Sequence, residues 1–170
     1  YCEEFFGQAH LQKYMNKLIL IFILFIVFLI TPCCAAYSAN SLTIAPKSFS
    51  IGEIRADNYE AGYKEKIRAN AVIVKDTLNA WKVMIKTNNN DMGVIGNYTK
   101  PISDFYWKAT GNTATQITYT SIANYDLEIA RGSAGASFVT IYMDYKILLS
   151  WPNDVPGVYN ITVTYTLTTQ

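Results

Sequence analysis

Residues 154–168 read D-V-P-G-V-Y-N-I-T-V-T-Y-T-L-T. Tyr159, Ile161, Val163, Tyr165 and Leu167 alternate with Asn160, Thr162, Thr164, Thr166 and Thr168. That period of two turns one apolar face inward and leaves one hydroxyl-rich face in water, which is the pattern of a half-buried β-strand. Pro156-Gly157 ahead of it supplies a fixed φ and then a residue free to take positive φ, so the chain can reverse before the strand begins. Burying five such side chains at ~1.5–3 kcal/mol each contributes up to ~15 kcal/mol before conformational entropy is charged, comparable with the net stability of a whole domain. A strand of this kind needs a sheet beside it and a second layer over its apolar face. The remaining sequence is expected to supply both.

Working back from that strand, Trp151-Pro152-Asn153 forms a turn, and residues 136–149 alternate over their whole length. Val139, Ile141, Met143, Tyr145, Ile147 and Leu149 make the core face, with Phe138, Thr140, Tyr142, Asp144 and Lys146 opposite. Shorter strands are expected at 125–130, 116–121 and from Phe105-Tyr106-Trp107 onward, with turns at 132–135 and 111–112. Residues 96–104 read as a loop and Asn88-Asn89-Asn90-Asp91-Met92-Gly93 as a dense turn signal, since Asn and Asp tolerate left-handed geometry and bond their own backbone. Trp81, Val83 and Ile85 share one face of a strand, with the indole at a core centre. Ile67, Ala69, Ala71 and Ile73 align on one face of 64–75, a pattern that Val72 and Val74 interrupt. Residues 52–63 form a polar connection, and 41–51 form a first strand interrupted at Pro46, which removes a ladder donor. No period of 3.6 is sustained after residue 36, so the expected fold is an all-β, immunoglobulin-like antiparallel β-sandwich of about seven to nine strands.

At 170 residues with a formal net charge of +1, the chain suits one domain and gives no footprint for nucleic acid. Leu18 to Ile30 is an unbroken apolar run preceded by Lys13 and Lys17. As a helix it spans ~20 Å, short of a ~30 Å bilayer core, and its basic flank suits a secretory signal peptide cleaved after Ala36, with Ser38 as the alternative point. An uncleaved anchor is the alternative. Three segments follow: 1–36, upstream residues and signal; 37–46, an N-terminal strand; and 47–170, the sandwich. Cys2, Cys33, Cys34 and His10, all the cysteines and the only histidine of the chain, precede the expected cleavage point. The segment from Tyr37 onward therefore has no thiol or imidazole for nucleophilic catalysis or metal ligation. No enzyme activity and no cofactor are expected.

Trp107, the Gly132–Gly135 turn, Tyr145-x-Ile147, Trp151-Pro152-x-Asp154-x-Pro156-Gly157-x-Tyr159 and the threonine-rich last strand together resemble secreted immunoglobulin-like modules of prokaryotic cell surfaces. These include WxL-like domains and subunits of extracellular filaments and pili. The Trp-x-Leu motif itself is absent, so peptidoglycan attachment does not carry over. The resemblance implies an extracellular, self-polymerising structural subunit, in contact with the membrane only during export. Its N-terminal segment, 37–45, inserts as a donor strand into the next copy, and Leu42 and Ile44 fill alternate pockets along an exposed sheet edge. The other reading of that segment is an ordinary first strand of its own sandwich.

The remaining candidates each have an ordinary structural counterpart. Asp126 and Glu128, with Asp104, are a candidate carboxylate pair for glycoside chemistry, against a solvated strand face. Residues 88–91 offer oxygens to calcium, against a plain turn. Tyr98, Tyr106, Tyr119, Tyr125 and Tyr142 are candidates for a sugar-stacking platform. They carry the alternative function, a carbohydrate- or cell-wall-binding module whose partner is a surface glycan. Asn97-Tyr98-Thr99 and Asn160-Ile161-Thr162 fit the N-glycosylation triplet at Asn97 and Asn160.

Overall fold

The computed structural model describes residues 40–75, 77–151 and 153–169; the expected signal segment lies outside them. The chain is an antiparallel β-sandwich. One sheet has five strands in the order β1-β2-β9-β6-β7, and the facing sheet has three in the order β10-β3-β8. The first comprises β1 (Ser41–Ala45), β2 (Tyr63–Lys75), β6 (Phe105–Thr110), β7 (Thr120–Ser121) and β9 (Phe138–Leu148). The second comprises β3 (Trp81–Thr87), β8 (Leu127–Gly132) and β10 (Val163–Thr169). A separate hairpin, β4 (Asp91–Ile95) with β5 (Tyr98–Pro101), brings the strands to ten among the described residues. The expectation for these residues was turn and loop. The strands are only five and four residues long, and Gly93 interrupts the first, so a period of two has little to act on.

The core lies between the sheets. Val72, Val74, Ile141, Met143, Tyr145, Phe105 and Trp107 enter it from the larger sheet, and Trp81, Val83, Ile85 and Ile129 from the smaller. The expected faces of β3 and β9 are the buried ones. In β2 the expected face is broken. Ile67 is 54% exposed whereas Asn70, Val72 and Val74 are buried. A bulge between Lys66 and Asn70, with Arg68 at φ 50°, sets Ile67, Arg68 and Ala69 against Asp144 alone, two positions more than β9 has there. An insertion of two keeps the phase, so Lys66 and Asn70 both stand opposite core residues of β9, Tyr145 and Met143, and the core face of β2 is the even-numbered one. Asp144 accepts the Arg68 N–H at 2.7 Å and faces Lys108 Nζ at 3.5 Å, which satisfies the donor freed by the bulge.

Two further departures matter. Residues 52–63, read as connection, contain a short helix, α1 (Ala56–Ala61), closed by Gly62 at φ 78°, and Tyr63 already begins β2. The helix is too short to show a helical period. The decisive stretch 154–168 is laddered only from Val163 onward. Its first half is held by single bonds, from the Asn160 N–H to the Met92 carbonyl and from the Thr162 N–H to Asn89 Oδ1.

Candidate functional site

The five apolar side chains expected to be buried in the last strand are in fact only half-buried: Tyr159, Ile161, Val163, Tyr165 and Leu167 all remain partly open. The reason is the position of β10. It ladders with β3 alone, so its other edge carries no strand among the described residues. Beside that edge the chain from Pro46 to Ile54 runs without strand structure, with Phe49, Ile51 and Ile54 half-buried. Between these two segments lies a groove of about 920 Å³. A sandwich lacking one edge strand leaves such a cleft, because core side chains on both sheets lose the layer that would cover them.

The groove has an apolar floor with one polar spot. Met92, Phe105, Tyr145 and Ile147 lie at its base. Phe49 stacks on Tyr145 at 4.9 Å between ring centroids, and Phe105 lies 5.3 Å from the same ring. The Tyr145 and Tyr165 hydroxyls bond to each other, and Asn70 Nδ2 donates to the Tyr165 hydroxyl at 3.3 Å. Burial raises the Tyr145 phenol well above its ordinary pKa, reinforced by the neighbouring Tyr165, and burial also raises Tyr165. Both phenols therefore stay neutral as hydrogen-bonding groups. The chemistry on offer is recognition: apolar side chains into the floor and backbone groups onto the β10 edge.

Leu42 and Ile44 are in β1, paired opposite Val74 and Val72 of the same chain, with their side chains lining this groove. Residues 37–39 of the expected donor segment lie outside the described residues. Asn97 and Asn160 are both exposed, and Asn160 borders the groove.

The other candidates are not assembled into sites. Asp126 faces Lys86 at 3.5 Å, Glu128 pairs with Arg131 at 2.6 Å, and Asp104 pairs with Lys100 at 2.8 Å, so the three carboxylates each serve a different cation. In the 88–91 turn, Asn89 Oδ1 accepts the Thr162 N–H and Asp91 Oδ1 accepts the Gly93 N–H. Only two of the five tyrosines come together. Tyr106 and Tyr119 share the Lys146 ammonium, at 5.5 and 4.3 Å from their centroids, while Tyr142 carries Arg68 at 4.7 Å. Cations thus sit over ring faces that a sugar would need. Tyr98 instead donates its hydroxyl to Asp154 at 2.5 Å.

The crystal structure of the P pilus rod subunit PapA is similar over 78% of this chain and 100% of its own, with a TM-score of 0.50 and 10% identity. The fold is thus similar to that of a pilus rod subunit. A structure of a chaperone–usher pilus is similar over 76% of this chain and 87% of its own, with a TM-score of 0.46 and 11% identity. No family model matches the sequence, and no curated protein does. At 10% identity the likeness to PapA is one of fold. The WxL-like part of the sequence resemblance has no counterpart among these structures.

The sequence reading missed the groove because nothing in 154–168 says whether a neighbour covers it. The clue was in the first strand: the interruption at Pro46, followed by Phe49 and Ile51 with no ladder partner of their own.

Proposed function

We propose that this chain is a structural, non-enzymatic subunit of an extracellular filament or pilus, polymerised by strand complementation. The carrying observation is the groove beside β10, where half-buried apolar side chains and an unladdered strand edge lie together. The proposed donor is the segment 37–45 of another copy, which spans ~30 Å when extended, enough to run along the groove. Within a single chain, Ser41–Ala45 of this segment pairs with β2. Donation is therefore an exchange: β1 leaves its own sheet and enters the next copy's groove, placing Leu42 and Ile44 against the floor. A head-to-tail contact of this kind does not close on itself and builds a fibre. Secretion, removal of 1–36 and display at the cell surface belong to the same reading.

A reversible lock tests it. Thr43 lies directly opposite Ile73, within the usual reach of a cross-strand disulfide. The double variant Thr43→Cys/Ile73→Cys is made with Cys2, Cys33 and Cys34 changed to serine, then followed by negative-stain microscopy and sizing chromatography. Oxidised protein is expected to stay monomeric and reduced protein to grow fibres of uniform width. Fibres from the oxidised protein would remove β1 as donor. A monodisperse monomer after reduction would remove the polymer.

A further inference from the structure

At the foot of the sandwich, away from the groove floor, a lysine is buried between two carboxylates. Lys100, in β5, is 1% exposed. Its three ammonium hydrogens are all directed: to the Leu148 carbonyl at 2.7 Å, to Asp154 Oδ1 at 2.7 Å and to Asp104 Oδ2 at 2.8 Å. The Asp154 side chain is 3% exposed and that of Asp104 is 27% exposed. A simple buried ion pair needs one carboxylate; here there are two, and they differ. Asp154 is sealed in, while Asp104 touches both the lysine and solvent.

The Asp154 carboxyl is also held by two further donors. The Tyr98 hydroxyl donates to Oδ1 at 2.5 Å and the Ser150 N–H to Oδ2 at 2.8 Å. If a nucleophile attacks Cγ, negative charge develops on these oxygens, and donors already aimed there stabilise it without reorganisation. The nucleophile within reach is Lys100 Nζ. Burial keeps competing water away and holds Nζ against the carboxyl, 2.7 Å from Oδ1.

We propose that Lys100 and Asp154 condense into an intramolecular amide, with Asp104 as the proton carrier. Lys100 begins as an ammonium and Asp154 as a carboxylate. Asp104 takes one proton from Nζ, and the neutral amine attacks Asp154 Cγ, forming the C–N bond. The oxygen bonded to Ser150 N–H carries the developing charge and remains as the amide carbonyl. The oxygen bonded to Tyr98 leaves as water, having received two protons that came from Nζ and passed through Asp104. The nitrogen keeps one hydrogen, Asp104 ends as the carboxylate it began as, and no oxidant or cofactor enters. The bond joins positions 54 apart in the chain. It ties the β4–β5 hairpin to the turn after β9, spanning β6 to β9 with a covalent strut in a segment, 37–170, that has no cysteine. This inference does not depend on the groove.

The intact mass of the purified full chain, with its N-terminus mapped, tests the bond together with a protease digest. The expected result is a mass lower by one water and a branched peptide joining the Lys100 and Asp154 fragments. Asp104→Asn should fold, by circular dichroism, and show the full mass without the branched peptide. Asp154→Asn, with Asp104 intact, should lose one ammonia and give the same branch. Wild-type protein at its full sequence mass, with linear Lys100 and Asp154 peptides only, would overturn the proposal and leave a buried ion pair.

Discussion

The two long flanks of the sandwich are built to opposite ends. On one, the segment 111–116 laces the sheets together: the Ala109 N–H donates to the Gln116 carbonyl, the Thr115 N–H to Ile129 and the Arg131 N–H to Thr113, with a bridge between Ala114 and Ala130. Behind this lacing Trp107, Ala109, Ile129 and Ala130 are wholly buried. On the other flank no backbone joins β10 to the segment 46–54 among the described residues, and Ile161, Val163, Tyr165, Phe49 and Ile51 stay half-open. The same kinds of residue occupy both flanks. What differs is a covering strand, which the open flank lacks among the described residues.

The comparison predicts its own strongest contrast. Trp107→Ala, on the closed side, should cost about 3–5 kcal/mol in denaturant unfolding. Val163→Ala, on the open side, should cost less than about 1 kcal/mol in the monomer, since a half-buried side chain at an uncovered edge has less apolar area to lose. Equal losses would mean that the groove is closed in solution.

Filling the open flank should remove much of the contrast. A synthetic peptide with the sequence of residues 37–45, at about a hundredfold excess over its dissociation constant, should stabilise the protein by roughly 2.7 kcal/mol. Thermal unfolding reads this, and Val163→Arg should abolish it. Stabilisation that survives the arginine would place the peptide elsewhere.

Tight packing between strands is tested at Gly132. A Cβ there would lie 2.5 Å from Trp81 Cζ2, so Gly132→Ala should cost about 1–3 kcal/mol, without changing the peptide's effect. Loss of the peptide effect would mean that β3 and β8 transmit to the groove.

Acid sharpens the contrast between ion pair and amide at the sandwich foot. Burial pushes the Asp154 carboxyl up, but hydrogen bonds from Lys100, Tyr98 and Ser150 outweigh it and hold the group below its ordinary value. A depressed folded-state pKa stabilises the fold above the unfolded value of about 3.9, and this is lost as the pH falls through the folded value. Asp104→Asn, with Asp154 left ionisable, should show that acid-dependent loss; wild-type protein, with Asp154 in an amide, should lack it. The smallest effect belongs to the surface. Asp126→Asn removes a partly exposed pair with Lys86 and should change stability by no more than about 0.5 kcal/mol.

Much of the sandwich could be read directly. The alternations at Trp81-Val83-Ile85 and along Ile141 to Leu149 give the correct core faces, because a strand's period of two is written residue by residue. The core face of β2 was harder to read, since apolar residues stand on both faces and the bulge that exposes Ile67 is held by Asp144, 76 positions from Arg68. The Lys100 cluster was invisible for the same reason. A lysine in a short polar stretch reads as exposed, and only the return of Leu148 and Asp154 around it makes it a buried group. Asp104, four positions on, was noticed for the wrong partners.

What the sequence by itself determined was the material: strands with one apolar face, a chain from Tyr37 onward without cysteine or histidine, and a last strand too apolar to stand in water. Only the tertiary structure decided which edges find partners. It laced one flank, left β10 open on the other and folded two aspartates around one lysine. Local periodicity fixes which way a side chain points along its own strand, whereas coverage and burial depend on segments distant in the chain arriving beside it.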